Sequence, residues 1–555
     1  MKRVAVVGSG VSGKLASEQL QQGSTYLHFV GLAATWMLNE HSDEYEVHLF
    51  EADSRPGGHT NTVDFSPPGS KDGPTTRVDT GFIVFNTVTY PNLLRFFDLI
   101  GVEHIASEMS FSVSRDRGLY EWAGTSLSAL FAQRKNLLNP GQWRMIWDIL
   151  RFNNAALELL RKGDTKESIG KYLDREGYSD SFRDNYLLPM TAAIWSTPPD
   201  TAALDFPALT LLRFMHNHHL LQLLDRPVWL TIKNGSHNYV KKVLDALPLK
   251  QYHSATPIQS ASSHADGSVS LVTAAGEHHE FDHIIFACHA DTTLKILESG
   301  EGITKEERAV LGGFEFGKNR AVLHSDPLLM PRIRSTWAAW NYLTSTDGLK
   351  ANVNSAALTY WMNTLQSIPE STFGPVLVTL NPPYEPRKEL VVGEWSYDHP
   401  LFSPESVRSQ DLLPSIQNKR NMTFCGAWTK YGFHEDGFKS GMTVAQDYLK
   451  VSPPFPIHSA ERAVPPPSAL LTLFIDGFES VRRACEGPWE VLMLIAVFGC
   501  VGVEWSVWAA QMAIRGGGMK SVEGKMEGAR KLVGSVRREF QKSAKGKQVG
   551  GGKQE

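Results

Sequence analysis

Apolar and polar positions form distinct patterns along the 555 residues. Val4-Ala5-Val6-Val7 is a short unbroken apolar run, the pattern of a strand buried on both faces of a parallel sheet. Glu46-Val47-His48-Leu49-Phe50 predicts a second strand, and Leu32-Ala33-Ala34-Thr35-Trp36-Met37-Leu38 reads as the helix connecting the two. Prolines 453, 454, 456 and 465–467 predict a stiff, extended linker over 451–486. After it, Val491 to Val503 is an apolar run of thirteen, interrupted by Glu504 and resumed from Trp505 to Ile514. A membrane span needs roughly 20 residues, and a central acidic residue costs about 2.5–3.5 kcal/mol on insertion scales. The segment 487–515 is therefore read as an apolar helix, either membrane-inserted or buried in protein. In 516–555, Met519, Val522, Met526, Ala529, Val533, Val536 and Phe540 recur at spacings of three and four, with Lys and Arg between them. That is the pattern of a basic amphipathic tail suited to a membrane surface; a coiled-coil seam or a solvated tail are the alternatives.

Composition narrows this picture. With 42% hydrophobic and 21% charged residues the chain is globular, and its length suits two to four domains of about 150 residues. A net charge of −4 points away from nucleic acid. The segment from Met519 to Glu555 carries ten Lys or Arg against four Asp or Glu, so its net +6 suits an anionic surface. Cys288, Cys425, Cys485 and Cys500 are scattered without a CxxC pair, which argues against disulfides or a metal site and suits a reducing compartment. No apolar leader precedes the first strand, so no signal peptide is expected and an intracellular location is.

The first strand ends in Gly8-Ser9-Gly10-Val11-Ser12-Gly13, which fits GxGxxG. In that fingerprint Gly8 makes a tight turn, Gly10 lets the backbone approach a pyrophosphate, and Gly13 lets helix and strand pack closely. The helix N–H groups hold the phosphates. Glu51, closing the second strand, is placed to accept hydrogen bonds from ribose hydroxyls. It lies 43 residues after Gly8, against an expected offset of about 20. Without Lys14–Gly31 the offset is 25. Removing these eighteen residues also restores Gly-Ser-Gly-Val-Ser-Gly-Leu-Ala-Ala-Thr-Trp-Met-Leu, and codons at both ends are compatible with the GT and AG limits of an intron. The stretch reads as a translated retained intron. Otherwise Lys14–Gln22 extends the fingerprint as a substitute first helix.

Glu51-Ala52-Asp53-Ser54-Arg55-Pro56-Gly57-Gly58-His59-Thr60 follows. With the fingerprint, this stretch resembles the flavin-containing amine oxidase superfamily, whose members pass such an arginine-containing loop over the pyrophosphate and the flavin. The resemblance continues to about residue 450. Asn234-Gly235-Ser236 resembles the central glycine turn, and Thr256-Pro257-Ile258 with Ser268–Thr273 the strands returning to the FAD domain. His283–Cys288 resembles a further strand, Thr423–Trp428 the strand closing on FAD, and Gly432–Gly441 the start of the last helix. Together with blocks such as Gly81–Asn86 and Pro189–Ser196, it narrows to uncharacterised FAD/NAD-binding relatives of amine oxidases. A similar region forms the N-terminal part of some long cyclopropane fatty-acid synthases.

The resemblance implies an α/β fold. A Rossmann-like FAD-binding domain (1–81, 226–304 and 411–450) interleaves with an α+β substrate domain (82–225 and 305–410), and a helical C-terminal tail follows. It implies non-covalent FAD, since no cysteine stands where the family links flavin. The cofactor contacts expected are Gly8, Gly10, Gly13, Glu51, Arg55, Gly57, Gly58, His59, Thr60, Ile258, Gly426, Glu435, Asp436, Gly437 and Phe438. Two departures stand out: Gly-Gly-His replaces the usual Gly-Gly-Arg, and Ala427 replaces an acidic residue. No lysine clearly matches the one many amine oxidases place near N5, although Lys318 lies in a plausible region. The catalytic candidates are His59, Lys318, Trp428 and His434, with Tyr431 a further aromatic near the flavin; each has an ordinary packing reading beside it. The expected function is an FAD-dependent oxidase or desaturase acting on an apolar or acyl-lipid substrate and held at a membrane face. A soluble-amine oxidase and a non-catalytic flavin-binding membrane scaffold are the alternatives.

Overall fold

The computed structural model describes residues 1–8, 30–70, 72–163, 167–195, 204–222, 226–347 and 350–484. Gly10, Gly13 and Lys14–Gln22 lie outside the described residues, as do the apolar segment 487–515 and the tail 516–555.

The apolar N-terminal run becomes β1 (Lys2–Val7), the central strand of a five-stranded parallel sheet. Tyr252–His253, β2 (Tyr45–Phe50), β1, His283–Phe286 and Met422–Phe424 lie side by side in that order. Val4, Ala5 and Val6 are fully buried because both faces are covered. One face carries α1 (Val30–Asn39) and the helix His434–Leu449; the other packs on an antiparallel sheet of Ile258–Ser263, Val269–Thr273 and His278–Phe281. Every residue of α1 from Val30 to Leu38 is buried. It starts two residues before the expected Leu32. It crosses His434–Leu449 so closely that a Cβ on Gly441 would lie 2.6 Å from the Val30 carbonyl oxygen.

A second layer is a seven-stranded sheet in the order Val391–Leu401, Glu315–His324, Leu377–Leu380, Lys350–Trp361, Trp340–Asp347, Phe111–Arg115, Tyr120–Ala123. Its last strands pack against helices Pro140–Lys162, Leu188–Trp195 and Ala208–Asn217 through Trp122, Phe152, Phe182 and Phe214. This is the mixed α/β architecture expected. The layers are pinned by Asp79, at the end of the ribbon Thr62–Phe65/Thr76–Asp79. Its buried carboxylate accepts from Ser236 N–H (2.9 Å), Ser236 Oγ (2.8 Å) and Gln366 Nε2 (3.0 Å).

The proline-rich segment differs from a plain linker. Residues 452–467 carry no helix or strand, but Ala469–Ala484 is an α-helix docked on Pro140–Lys162. The prolines stop at Pro467. Leu471, Ile475 and Phe478 then share one face, which packs on Phe131, Trp143 and Trp147.

Candidate functional site

At the C-terminal ends of the parallel strands, the chain leaves β1 through Gly8 with φ +103°, a conformation that favours glycine. A Cβ there would come within 3.2 Å of Cys288 N. A Cβ on Gly31 would lie 1.9 Å from the Gly8 carbonyl oxygen. Gly31 is thus the glycine that lets α1 approach this turn. Glu51, at the end of β2, is fully buried, and Asp53 N–H donates to its Oε1 at 2.8 Å. The next loop turns through Gly57 (φ +98°) and Gly58 (φ +57°). Arg55 braces it, donating to the carbonyls of Gly58 (2.9 Å) and Thr60 (3.4 Å). Thr60 bonds Tyr239 through their hydroxyls, and Ile258 opens the antiparallel sheet beside Thr256, whose N–H donates to Glu51 O at 2.7 Å.

The loop delivers His59 to a cavity between the two layers. Gly81 runs against it so tightly that a Cβ would sit 2.3 Å from the His59 carbonyl oxygen. The His59 ring meets Tyr397 edge-on (centroids 4.6 Å) and His399 at 4.9 Å. Phe82, Trp195, Phe214, Trp229, Trp340, Tyr360 and Phe433 supply aromatic wall, and Ile83, Val84, Met109, Ile194 and Leu220 aliphatic wall. The start of His434–Leu449 closes one side: Gly432, Phe433 and His434 all line the cavity, and His434 stacks on Phe82 at 3.6 Å. Among the described residues four histidines border the space, His59, His218, His399 and His434. Burial pushes His218 and His399 down to about 4 and His434 to about 3, so these imidazoles are neutral at pH 7. Among the described lining residues there is no Asp, Glu, Lys or Arg.

The other expected residues are placed differently. Lys318 is exposed and lies outside the cavity wall, because strand alternation turns its neighbour Asn319 inward instead. Trp428 is buried beneath the strand ends, donating from Nε1 to Cys288 O at 3.1 Å and packing on Phe314; it also lies outside the wall. A Cβ on Gly426 would strike that indole at 2.1 Å. Tyr431 packs on Phe214 and lines a neighbouring cavity instead. Glu435 turns from the cavity to cap the helix Pro91–Leu99, accepting from Asn92 N–H (3.1 Å), Asn92 Nδ2 (2.5 Å) and Leu93 N–H (3.0 Å). Burial still raises it to about 8. Asp436 accepts from Tyr431 N–H (3.2 Å) and Phe433 N–H (3.0 Å), fixing the turn that presents Gly432 and Phe433. Gly437 lies against Val30, and Phe438 is in the core beside Trp36 and Phe96.

His399 and His218 carry no sequence motif. His399 follows Tyr397 at the alternate position of one strand, and only the folded chain brings that face against His59. The alternation Tyr397-Asp398-His399 was the available signal, and it does not say what the face meets.

The sequence pattern of the family described as flavin containing amine oxidoreductase matches residues 29–311, just over half of the chain. No curated protein sequence is matched. Among solved structures, putrescine oxidase bound to putrescine is similar in fold, at 13% identity and a TM-score of 0.54, covering 81% of this chain and 99% of that one. Cyclohexylamine oxidase from Brevibacterium oxydans aligns at 13% identity and 0.52, covering 80% and 98%. A CLA-producing fatty acid isomerase from P. acnes aligns at 13% identity and 0.52, covering 81% and 99%. With the strand-end turn and the cavity above, the family match leads to one conclusion: the chain belongs to the flavin-containing amine oxidoreductase family and is an FAD-dependent oxidoreductase.

Proposed function

We propose that this enzyme oxidises an uncharged, largely apolar substrate in the cavity between its two layers, with the parallel-sheet layer holding FAD and the seven-stranded layer shaping the substrate side. The residues fit the cofactor at the adenosine end. Gly8 makes the tight strand-end turn at φ +103°, packed against Cys288, and the buried Glu51 carboxylate stands at the neighbouring strand end, where ribose hydroxyls can donate to it. The loop of Gly57, Gly58, His59 and Thr60 and the helix start at His434 border the same path. Bound FAD supplies hydride acceptance from a substrate carbon. The chain supplies the rest: aromatic walls that exclude water, and a helix N-terminus whose positive end faces developing negative charge.

The observation that carries this reading is the uncharged wall. A substrate with a fixed charge would lose its hydration there without meeting an ionised partner, a cost of several kcal/mol that cation–π contact with the aromatic wall returns only in part, by about 2 kcal/mol. A desaturase or oxidase acting on an acyl lipid meets that condition. An amine oxidase does so only if the amine enters as the neutral base; the family match and the fold of cyclohexylamine oxidase favour keeping this second reading. Anaerobic mixing of the FAD-loaded protein with neutral acyl esters, alicyclic amines and putrescine separates them. Bleaching of the flavin band by the esters supports the first reading. Bleaching by cyclohexylamine alone, growing as pH rises, supports the second. Bleaching by putrescine alone at neutral pH contradicts both.

Attachment to a membrane through the C-terminal region belongs to the same proposal. Among the described residues no helix is long and apolar enough to cross a membrane. The helix Ala469–Ala484 does expose Leu470 and Leu473, each 72% accessible, just ahead of the apolar run in the sequence. Flotation with phosphatidylserine vesicles should carry the full chain and leave a chain ending at residue 484 in solution. Equal behaviour of the two would remove this part.

A further inference from the structure

A hydrogen-bond chain behind the cavity ends on its wall at His399, and its direction is fixed from the far end. Arg320 N–H can only donate, and it donates to Asn381 Oδ1 at 2.9 Å. That orients the Asn381 amide, so its Nδ2 donates to Asn319 Oδ1 at 2.7 Å. Asn319 must then present its own Nδ2, which donates to the Gly317 carbonyl at 3.3 Å and to His399 Nδ1 at 2.8 Å. Nδ1 of His399 is therefore an acceptor. In a neutral imidazole the proton then sits on Nε2. His399 lines the cavity, and among the described residues no protein group pairs with Nε2. Burial, which keeps the ring neutral, supports the same assignment.

We propose that His399 is the substrate-orienting hydrogen-bond donor of this cavity, offering Nε2–H to an uncharged oxygen acceptor, a carbonyl or ester oxygen, on an otherwise apolar substrate. Asn319 and Asn381 are positioning residues that hold the tautomer. The role rests on the reading above that this cavity takes the substrate. It adds a requirement that reading lacks: one acceptor atom within reach of His399. His399 Nε2–H shares the uncharged wall with another donor, the Trp340 Nε1–H, unpaired among the described residues, and a ligand without an acceptor leaves these donors unpaired, so the wall selects by that atom.

The test uses the FAD-loaded full chain and two probes of matched shape, cyclohexanone and methylenecyclohexane, followed by perturbation of the flavin absorption band. One hydrogen bond to a neutral acceptor is worth about 2- to 12-fold in affinity. The wild type is expected to favour cyclohexanone by that factor. His399→Leu should bind the two alike, and His399→Gln, whose side-chain amide can donate from a similar place, should keep a preference. The Gln variant also keeps the test open if the Leu variant fails to fold. Histidine-selective 15N spectra should show the Nε2–H tautomer for the signal lost in His399→Leu. Equal wild-type affinity for both probes, or an Nδ1–H tautomer, overturns the role of His399 and leaves the apolar cavity standing. No perturbation by either probe overturns the cavity reading and this role with it.

Discussion

Burial more than proximity of charge sets the chemistry of individual residues here, and it acts in opposite directions on the histidines and on Glu435. His399 and His434 are held at about 4 and 3, below the ordinary 6.5. The unfolded chain therefore takes up protons between about pH 6.5 and 4 that the fold refuses. Their contribution is fully present above 6.5 and is lost as pH falls. Glu435 is raised from 4.5 to about 8, so its contribution is present below about 4.5 and is lost as pH rises through 8. Thermal unfolding should show stability climbing from pH 4 to about 6.5, then declining towards 8, with Glu435→Gln flattening the decline. A decline unchanged in that variant would assign it to other groups. The sequence made His59 and His434 visible because each sits inside a glycine-rich stretch with a recognisable role. His399 was not legible: its neighbours carry no motif, and its partner Asn319 lies 80 residues away. The sequence suggests Glu435 as a cofactor contact; its place as the cap of a helix starting 344 residues earlier is a contact that no local pattern encodes.

Among the elements, the last described helix, Ala469–Ala484, shows how a short amphipathic segment is committed by one buried charge. Glu479 accepts from Trp147 Nε1 at 2.7 Å and lies 3.3 Å from Arg151 and 2.8 Å from Arg482, with Arg144 at 3.5 Å. Its carboxylate is held below its usual range by Arg482, Trp147 and the other two arginines, against the desolvation that would raise it. Glu479→Gln removes the only carboxylate of this helix, among the described residues, that pairs with Arg144 and Arg151 of Pro140–Lys162. Breaking such a pair costs about 3–5 kcal/mol. The expected readout is a lower urea midpoint and faster proteolysis between residues 452 and 468; unchanged proteolysis would show the helix to be held by its leucines alone. The helix was hidden from sequence reading by the six prolines before it, which make the whole stretch look extended, and by Gly477, which weakens the helical signal. The strands of the parallel sheet were legible because unbroken apolar runs have few other homes.

The whole molecule depends on a turn that the sequence interrupts. The structure starts α1 at Val30 and sets Gly31 against the Gly8 carbonyl, where a side chain would not fit. Gly31 precedes Leu32 just as Gly13 would if residues 14–31 were removed. The strand–turn–helix geometry is therefore available to a chain without the insert, whose one short loop would offer its backbone N–H groups to the phosphates of a bound dinucleotide. The deletion variant is expected to bind FAD about tenfold or more tightly than the full chain, a gain of about 1.4 kcal/mol or more, by fluorescence titration. Equal affinities would contradict this. Transcripts that all retain the 54 nucleotides would remove the intron reading. Interleaving is what the linear sequence conceals most: the cavity is built from segments around residues 59, 82, 195, 214, 340, 399 and 433, and only the closed fold shows that they meet. That meeting is the centre of the account, and a crystal structure of the FAD-loaded protein tests it most directly. The flavin ring is expected beside His59 and the His434 helix start, with one face open to the wall of Trp340, Tyr360 and His399. A flavin ring placed away from that cavity, with His59 and His434 out of its reach, would contradict it.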